Sequence, residues 1–364
     1  MTKPRIIAFY LPQFHPFPEN DLWWGKGFTE WTNVGKAKRL FPFHRQPNVP
    51  TELGYYDLRI PQVREEQARL AKEAGIEGFC YWHYYFGNGK QLMQDIIEDV
   101  VKTKKPDFPF CLGWANEPWE KKMWNKDGKG NELLMPQLYE GDEDYINHFY
   151  TILPILKDSR YIKVDGKPLF FIYRPYKFDD LKHFIELWRE MAKKEGLNDI
   201  HFVAHARGYT DNLENYIKSG CDAVYTNRVQ DGLYQRDFIS RIIRKICKFL
   251  LIPELATFKK IRKYALNNED TKENYYPGII CGWDHTPRTG RKGKVFTMFS
   301  KDVFKEHIKD IVNLVKDKET EHQIIFLKSW NEWGEGNFME PDLRFGKMKI
   351  EAMKEALQEF ENDK

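Results

Sequence analysis

Three glutamates in this sequence lie among tryptophan and asparagine residues, a setting that suits carboxylate chemistry. Glu332 and Glu335 fall in the segment 330–336, which reads WNEWGEG, and Glu117 falls in the segment 114–119, which reads WANEPW. Aromatic neighbours raise the pKa of a carboxyl group by desolvation, whereas amide donors favour its ionised form. Cleavage of a glycosidic bond needs one protonated carboxyl group and one carboxylate. The sequence therefore predicts that these three glutamates are catalytic.

Side chains that suit sugar binding gather where predicted strands end. A single such residue has a structural explanation in most proteins, but the pattern recurs at seven predicted strands. In a parallel barrel these strand ends form the face on which active sites are built. The predicted substrate-binding residues at these ends are Tyr10, Gln13, His15, Tyr81, His83, Tyr84, Trp114, Asn116, Tyr173, Arg174, His205, Trp283, Asp284, Trp330, Asn331 and Trp333.

Other chemistries find less support in the residue spacing. No GxSxG segment suggests a serine nucleophile, and no GxGxxG or GxxxxGK[ST] segment follows a predicted strand. His83, His205, Asp284 and His285 would supply metal-ligand types, but they lack the spacing of an HExxH-like site. We therefore expect neither a metal nor another cofactor.

The composition restricts the class of partner and compartment. Lys and Arg number 57 against 54 Asp and Glu, which leaves a formal net charge of +3 and argues against a nucleic-acid partner. Aromatic residues make up 15% of the chain, enough to serve both a core and sugar-binding platforms. The five cysteines show no CxxC spacing, which favours reduced thiols. With no signal peptide and no membrane span in the sequence, we expect a cytoplasmic protein.

Strand-like and helix-like segments alternate along the chain. The predicted strands are Arg5–Leu11, Gly78–Tyr85, Pro109–Asn116, Pro168–Arg174, His201–Ala206, Ala223–Thr226, Gly278–Trp283 and Gln323–Trp330. The predicted helices are Pro61–Ala74, Lys90–Lys104, Asp142–Leu156, Asp179–Lys194, Asn212–Lys218, Lys301–Lys316 and Lys347–Phe360. Eight strand–helix units predict an α/β fold, a single (β/α)8 TIM barrel that forms one catalytic domain over residues 1–364. An open doubly wound sheet is the alternative.

Two connections are longer than a barrel requires, and both leave the carboxyl end of a strand. They are Pro12–Ile60 after the first strand and Asn227–Tyr276 after the sixth. Within the second insertion, the stretch Arg241–Lys263 is basic and amphipathic. We expect a helix that packs on the barrel and exposes its basic face, in preference to contact with an anionic membrane surface.

Three segments of the sequence resemble the WbsX-type family. They are residues 8–15 (AFYLPQFH), 27–34 (GFTEWTNV) and 330–336 (WNEWGEG), and the resemblance runs from Arg5 to Phe345. Members of this family are described as glycosyltransferases of O-antigen and capsule biosynthesis. The family is similar in turn to glycoside hydrolase family 99, the endo-α-mannosidases, which are (β/α)8 barrels. The second segment adds Trp31 to the predicted substrate-binding residues.

The resemblance to family 99 implies roles for Glu332 and Glu335. In that family the first glutamate of a Glu-x-x-Glu pair deprotonates the 2-hydroxyl of the sugar to give a 1,2-anhydro sugar. The second protonates the leaving oxygen and then activates water. Where family 99 has a histidine between the glutamates, this chain has Trp333 and Gly334, which puts substrate contacts in doubt. A second mechanism stays open, with Glu117 as acid/base and Glu332 as nucleophile.

The resemblance implies a retaining, endo-acting glycoside hydrolase for α-mannoside-like linkages of a bacterial surface polysaccharide or its precursor. Its substrate would be an oligo- or polysaccharide, with a lipid-linked one left open. The alternatives are a glycosyltransferase or transglycosidase of O-antigen or capsule biosynthesis, and a carbohydrate-binding barrel without catalysis. Transferases that use nucleotide sugars normally have Rossmann-like folds, so the sequence favours the hydrolase or transglycosidase.

Overall fold

The described part of the chain folds around a parallel barrel. The computed structural model describes residues 3–121, 132–208, 211–228 and 237–362. The barrel strands are β1 (Arg5–Tyr10), β2 (Gly78–Tyr85), β3 (Phe110–Trp114), β4 (Lys167–Ile172), β5 (His201–His205), β6 (Ala223–Tyr225), β7 (Tyr275–Tyr276), β8 (Gly278–Ile280) and β9 (Ile324–Lys328). Their order around the barrel is β7-β6-β5-β4-β3-β2-β1-β9-β8. The predicted barrel is confirmed and the doubly wound alternative is wrong, because β7 and β8 stand at the two ends of this order and are separated by one residue, so the sheet closes on itself.

The ninth strand arises because Pro277 divides one barrel position into two short strands. Before it, β7 pairs with β6, and after it, β8 pairs with β9. Proline has no N–H to donate to a strand ladder, so pairing changes partner there. The Pro277 carbonyl still accepts a hydrogen bond from the Phe326 amide at 3.0 Å, an ordinary distance for such a bond. The predicted seventh strand therefore begins earlier than Gly278.

Helices surround the barrel in the expected alternation. The described helices are α1 (Pro18–Trp24), α2 (Glu30–Gly35), α3 (Pro61–Ala74), α4 (Gln94–Thr103), α5 (Asp142–Leu156), α6 (Leu181–Lys194), α7 (Glu214–Lys218), α8 (Phe238–Phe249), α9 (Phe258–Tyr264), α10 (Thr286–Thr289), α11 (Lys301–Val315) and α12 (Met348–Asn362). Short strands in the connections are Gln91–Leu92, Trp119–Glu120, Leu133–Met135, Lys163–Val164, Glu254–Thr257, Lys294–Thr297, Asn331–Glu332 and Asn337–Phe338. Helices α3 and α5 have the predicted bounds.

An aromatic layer fills the barrel. Phe9 on β1 lies 4.7 Å from Trp82 on β2, 4.9 Å from Phe171 on β4 and 5.1 Å from Phe326 on β9, measured between ring centroids. Tyr225 on β6 completes the layer, 5.4 Å from Phe326. Burial of large rings supplies most of the favourable energy of such a core. The layer fills the barrel interior, so open space lies beyond the layer, at the carboxyl ends of the strands.

The two insertions carry helices of their own. The first holds α1 and α2, and the second holds α8 and α9, while residues 229–236 of the second lie outside the described part. The expectation that Arg241–Lys263 packs on the barrel is correct only in part. Phe258 and Ile261 of α9 are buried, but most apolar residues of α8 are exposed. No helix in the described ranges is both long and apolar enough to cross a bilayer.

Candidate active site

A cavity of about 510 Å³ opens at the carboxyl ends of the barrel strands. Phe9, Trp82 and Tyr225 of the aromatic layer reach its floor. Its walls include five glutamates, namely Glu30, Glu117, Glu120, Glu332 and Glu335, and four cationic or ionisable nitrogen side chains, His205, His285, Arg288 and Lys328. A deep pocket with convergent carboxylates and aromatic rings is the expected form of a carbohydrate site.

Glu332 and Glu335 reach the cavity because the residues between and beside them turn into the protein. Trp333 is fully buried and stacks on Phe338 with ring centroids 3.7 Å apart. Asn331 is also buried, and its side chain bonds both the amide and the carbonyl of Leu11, at 2.8 and 3.0 Å. These contacts anchor the segment after β9 on both sides of Glu332. The two carboxylates are therefore held by a rigid frame.

Arg288 joins three of the five cavity glutamates through one guanidinium group. Its Nε donates to Glu30 Oε1 at 2.9 Å, its Nη1 to Glu335 Oε1 at 2.8 Å and its Nη2 to Glu332 Oε2 at 2.8 Å. A planar guanidinium offers donors in fixed directions, so this arrangement sets the orientation of the carboxylates as well as their charge.

Asp284 fixes the short helix α10 that carries Arg288. Its Oδ1 accepts hydrogen bonds from the Thr286 amide at 3.1 Å and the Thr286 hydroxyl at 2.6 Å, at the start of the helix. Its Oδ2 accepts from Gln46 at 2.7 Å and lies 2.8 Å from His44 Nε2. Burial acts to raise the pKa of Asp284, but these bonds outweigh it and lower the pKa. Asp284 thus acts as a support for Arg288 rather than as part of the cavity wall.

Glu30 begins helix α2, and its carboxylate is almost fully buried. Besides Arg288, it accepts a hydrogen bond from Asn33 Nδ2 at 3.3 Å. Space for this carboxylate depends on Gly334, because a Cβ atom at that position would overlap with Glu30 Oε1. Gly334, which lies between Glu332 and Glu335 in the sequence, therefore leaves the space that the Glu30 carboxylate occupies.

The proton of the Glu332–Glu335 pair belongs on Glu332 in this arrangement. Burial raises the pKa of Glu332, Arg288 lowers it, and the charges of Glu335 and Glu30 raise it again, with a net rise to about 8. Burial also acts to raise the pKa of Glu335, but Arg288, His285 and Lys328 together lower it below its ordinary value. One protonated carboxyl group and one carboxylate thus share a guanidinium at neutral pH.

Glu117 lies on another wall and has a guanidinium of its own. Arg174 forms an ion pair with it and also donates from Nη1 to the Tyr176 hydroxyl at 2.8 Å. Asn116 holds the Arg174 backbone by accepting from its amide at 2.7 Å and donating to its carbonyl at 3.1 Å. Asn116 therefore positions the ion pair from behind.

Aromatic residues line much of the remaining cavity surface. Trp24 and Phe28 come from the first insertion, Tyr84 from β2, Trp119 from the segment after β3, and Tyr173 from the segment after β4. Rings of this kind form flat apolar platforms on which the C–H faces of a sugar can rest. The wall fits a carbohydrate better than a small polar ligand.

The predicted substrate-binding residues fall into two groups. Those that line the cavity together with the three predicted catalytic glutamates are Gln13, Tyr84, Tyr173 and His205. Those that do not line it are Tyr10, His15, Trp31, Tyr81, His83, Trp114, Asn116, Arg174, Trp283, Asp284, Trp330, Asn331 and Trp333. Most of the second group are buried, since alternate residues at a strand end point away from the barrel opening.

Two of the residues considered as metal ligands, His83 and Asp284, have other partners. His83 is buried with its Nε2 2.8 Å from His148 Nε2, and burial lowers its pKa to about 3. Asp284 is engaged with α10 as described above. In the described ranges, no group of three or more His, Cys, Asp or Glu residues is arranged to hold a metal ion.

Sequence reasoning did not identify Arg288, Glu30 or Lys328 as site residues. Glu30 stands in the segment 27–34 that carries the family resemblance, so a signal was present. Arg288 lies in a four-residue helix without any periodic pattern, and Lys328 reads as the last residue of a buried strand. Only the folded chain brings these three beside the glutamates.

Comparisons with known proteins give the family of this chain. The family model described as Glycosyltransferase WbsX matches residues 6–353. Two proteins named uncharacterized protein WxcX, from two strains of Xanthomonas campestris pv. campestris, are each 34% identical over 367 aligned positions, which cover 97% of this chain. The alignment covers 49% of those proteins, so this chain spans about half their length.

Solved structures share the fold at low sequence identity. A glycoside hydrolase-like protein superposes with a TM-score of 0.63 and 15% identity, covering 98% of this chain and 94% of its own. The family 99 endo-alpha-mannosidase of Bacteroides thetaiotaomicron gives a TM-score of 0.59 at 15% identity, with 98% of each chain covered. At this identity the likeness establishes the barrel fold.

Proposed function

This chain belongs to the WbsX glycosyltransferase family, and we propose that it breaks and re-forms glycosidic bonds with Glu332 and Glu335. The observation that carries the proposal is the pair of buried carboxyl groups on the Arg288 guanidinium, inside an aromatic-lined cavity of a barrel. The proposed substrate is an oligo- or polysaccharide with α-mannoside-like linkages. Cleavage within the chain, as in an endo-acting enzyme, is part of the proposal.

The charges of the two carboxyl groups suggest which one acts as the base and which one as the acid. The Glu335 carboxylate accepts the proton of the sugar 2-hydroxyl, whose oxygen attacks C1 and displaces the leaving oxygen. Glu332 donates its proton to that leaving oxygen, so a 1,2-anhydro sugar and a free hydroxyl result. In the second step the Glu332 carboxylate accepts a proton from water or an acceptor hydroxyl, whose oxygen attacks C1. As the anhydro ring opens, Glu335 returns its proton to the 2-oxygen of the sugar. Two inversions at C1 give overall retention.

This assignment reverses the one that the resemblance to family 99 implies, in which the first glutamate is the base. The difference in surroundings supports the reversal, because His285 and Lys328 act on Glu335 and favour its anionic form. Aryl glycosides with good leaving groups need little help from an acid. We therefore expect Glu332→Ala to retain activity on them and Glu335→Ala to lose it. The opposite result would restore the order implied by family 99 while keeping the same pair.

The pH dependence of kcat/KM follows from the same assignment. An acid with a pKa of about 8 loses its proton as the pH rises through that value. We expect kcat/KM to fall about tenfold per pH unit above pH 8, and this basic limb should disappear for aryl glycosides with good leaving groups. A basic limb that is unchanged by the leaving group would argue against Glu332 as the acid.

The alternative mechanism makes Glu117 the acid/base and Glu332 the nucleophile. The ion pair with Arg174 already engages the Glu117 carboxylate. A raised pKa at Glu332 also makes it a poor resting nucleophile. Both observations favour the 2-hydroxyl route over a covalent glycosyl-enzyme.

Substrates altered at the 2-position distinguish the two mechanisms. We would offer end-labelled oligosaccharides with internal α-mannosyl linkages and the matching 2-deoxy compounds, and follow products by mass spectrometry. The 2-hydroxyl route predicts turnover of the first set only. A 2-fluoro glycosyl fluoride should leave the mass of the intact protein unchanged. An ester on Glu332 would overturn the proposal in favour of the Glu117 mechanism.

Transfer to another sugar is the second candidate outcome, and the family name favours it. A sugar hydroxyl would then replace water in the second step, at the same carboxylates. Product analysis in the presence of added oligosaccharide acceptors separates hydrolysis from transfer. A carbohydrate-binding barrel without catalysis is disfavoured, because binding alone gives no reason to bury a protonated and an ionised carboxyl group on one guanidinium.

A further inference from the structure

Helix α8 turns an apolar face to solvent. Phe238, Ile239 and Phe249 are 75%, 67% and 86% exposed, and Ile242 and Ile246 are exposed as well. At 3.6 residues per turn these five side chains fall within an arc of about 100°. The one buried residue of the helix, Cys247, lies outside this arc, so the helix contacts the protein by a different side. Leu250 and Leu251 extend the exposed apolar surface beyond the helix end.

Basic residues flank this apolar arc. Arg241, Arg244, Lys245 and Lys248 occupy the neighbouring side of the helix, and all four are exposed. In residues 237–263 the basic residues are Arg241, Arg244, Lys245, Lys248, Lys259, Lys260, Arg262 and Lys263, whereas the acidic residues are Asp237 and Glu254. Both acidic residues form ion pairs inside the segment, with Lys260 at 2.8 Å and Arg244 at 3.5 Å. The surface is therefore apolar and cationic together.

The helix is attached to the end of the barrel where the cavity opens. It packs on the strand Glu254–Thr257, which pairs in parallel with Lys294–Thr297. The second of these strands is held to the segment after β8, because the Phe296 amide donates to the Trp283 carbonyl at 2.8 Å. These contacts hold α8 beside the candidate active site, with its apolar face towards solvent.

We propose that α8 docks this protein on an anionic lipid bilayer. The apolar arc would enter the boundary between headgroups and acyl chains, and the basic side would face lipid phosphates, as interfacial amphipathic helices do. A convex helix suits a planar surface better than a groove. Pairing with a second copy would bring two basic surfaces together, so charge complementarity favours the bilayer over self-association.

Vesicle binding tests the proposal without any turnover, so its outcome is independent of the proposed function. The full chain should sediment with vesicles of phosphatidylglycerol and phosphatidylcholine at low salt, and not with phosphatidylcholine alone. Salt at 0.5 M, which shortens the Debye length to about 4 Å, should release it. We expect the double variant Ile242→Glu/Phe249→Glu to lower the partition coefficient at least tenfold. Lys245→Gln/Lys248→Gln should lower it about 25-fold, from roughly fivefold per basic residue.

A matched control variant and a second measurement distinguish loss of membrane docking from loss of folding. Leu343→Glu changes an exposed apolar residue far from the insertion in sequence and should leave vesicle binding unchanged. Thermal unfolding of each variant checks that α8 changes do not act by unfolding the barrel. Absence of binding to anionic vesicles at low salt would overturn the proposal. So would a dimer, seen by light scattering, that Ile242→Glu/Phe249→Glu dissociates without any vesicle binding in the parent protein.

Discussion

Two walls of the cavity carry carboxylates, and they balance charge in different ways. The β9 wall, defined here as Glu332, Glu335, Glu30 and Arg288, sets three carboxyl groups against one guanidinium. The β3 wall, defined as Glu117 together with the Arg174 guanidinium that pairs with it from outside the cavity lining, sets one carboxylate against one guanidinium. The side chains of Glu332 and Glu335 are 13% and 19% exposed, whereas Glu117 is 33% exposed.

This difference explains why the pKa of a carboxyl group rises on the β9 wall. Burial makes excess negative charge costly, so the β9 wall lowers its charge by protonating Glu332. The β3 wall is already neutral as a pair and lies closer to solvent, where charge is screened. A group that holds a proton beside a group that lacks one is suited to acid/base chemistry. The β3 wall is suited to binding and orienting a sugar.

Removing single carboxylates is the strongest test of this comparison. We expect Glu332→Gln and Glu335→Gln each to lower kcat at least 10³-fold on natural linkages, because each removes one half of the acid/base pair. Glu117→Gln should raise KM about tenfold with a much smaller change in kcat. Steady-state kinetics on the oligosaccharides named above measures both constants.

Melting temperatures of the three variants serve as the control for this test, and none should fall by more than a few degrees. Equal losses of kcat in Glu117→Gln and Glu332→Gln would erase the distinction between the walls. That outcome would favour the mechanism in which Glu117 acts as acid/base.

Removing the cations should give the next largest effect. Arg288→Met leaves three carboxyl groups without their shared partner, and we expect about a 10²-fold loss of kcat together with about 3 kcal/mol of stability. Arg288→Lys should not restore kcat, since an ammonium group cannot donate to three carboxylates in fixed directions. Arg174→Met breaks a more exposed pair, and we expect about a tenfold effect, mainly on KM. Similar losses for Arg288→Met and Arg174→Met would contradict the proposed difference.

The spacing at Gly334 gives a smaller and more local test. A methyl group there would displace the Glu30 carboxylate and, through it, Arg288, so Gly334→Ala should lower kcat about tenfold and cost about 1–3 kcal/mol. Gly35→Ala is the matched control, because it lies in the same helix as Glu30 and its added Cβ would meet no atom within 4 Å. Unchanged kinetics in Gly334→Ala would show that Glu30 does not position Arg288.

Much of the fold could be predicted from the sequence because its signals are local. Strand β2 and helices α3 and α5 follow the periodicities of buried strands and amphipathic helices, and their predicted bounds agree with the structure. The split at Pro277 was harder to foresee, since β7 has only two residues. The exposed face of α8 could not be inferred either, because an amphipathic pattern shows which side is apolar but not what covers it.

The candidate site was predictable where chemistry follows directly after a strand. Glu117, Glu332 and Glu335 line the cavity, and they were predicted from aromatic and amide neighbours in the sequence. The same neighbours misled the choice of binding residues: Trp330 and Trp333 lie in the core, where they support the carboxylates from behind. Arg288 could not be found in this way, because it pairs with glutamates 258 residues before it and 44 residues after it.

The dependence of stability on pH should show the smallest effect at each pH step and tests the proton on the β9 wall directly. The pKa of Glu332 rises from 4.5 to about 8 on folding, so between these values the native state keeps a proton that the unfolded state releases. Its contribution to the free energy of unfolding is therefore complete below pH 4.5 and is lost as the pH rises to 8. Glu332→Gln lacks this titration, and we expect its stability relative to the parent protein to rise by about 1.4 kcal/mol per pH unit from pH 5 to pH 8. Glu335→Gln removes the neighbouring negative charge, which lowers the pKa of Glu332 and should give an intermediate slope.

Glu340, whose pKa burial raises to about 7, contributes equally to all three proteins and cancels in the differences. Urea unfolding at half-unit pH steps measures the slopes, and parallel curves for Glu332→Gln and the parent would place the proton elsewhere.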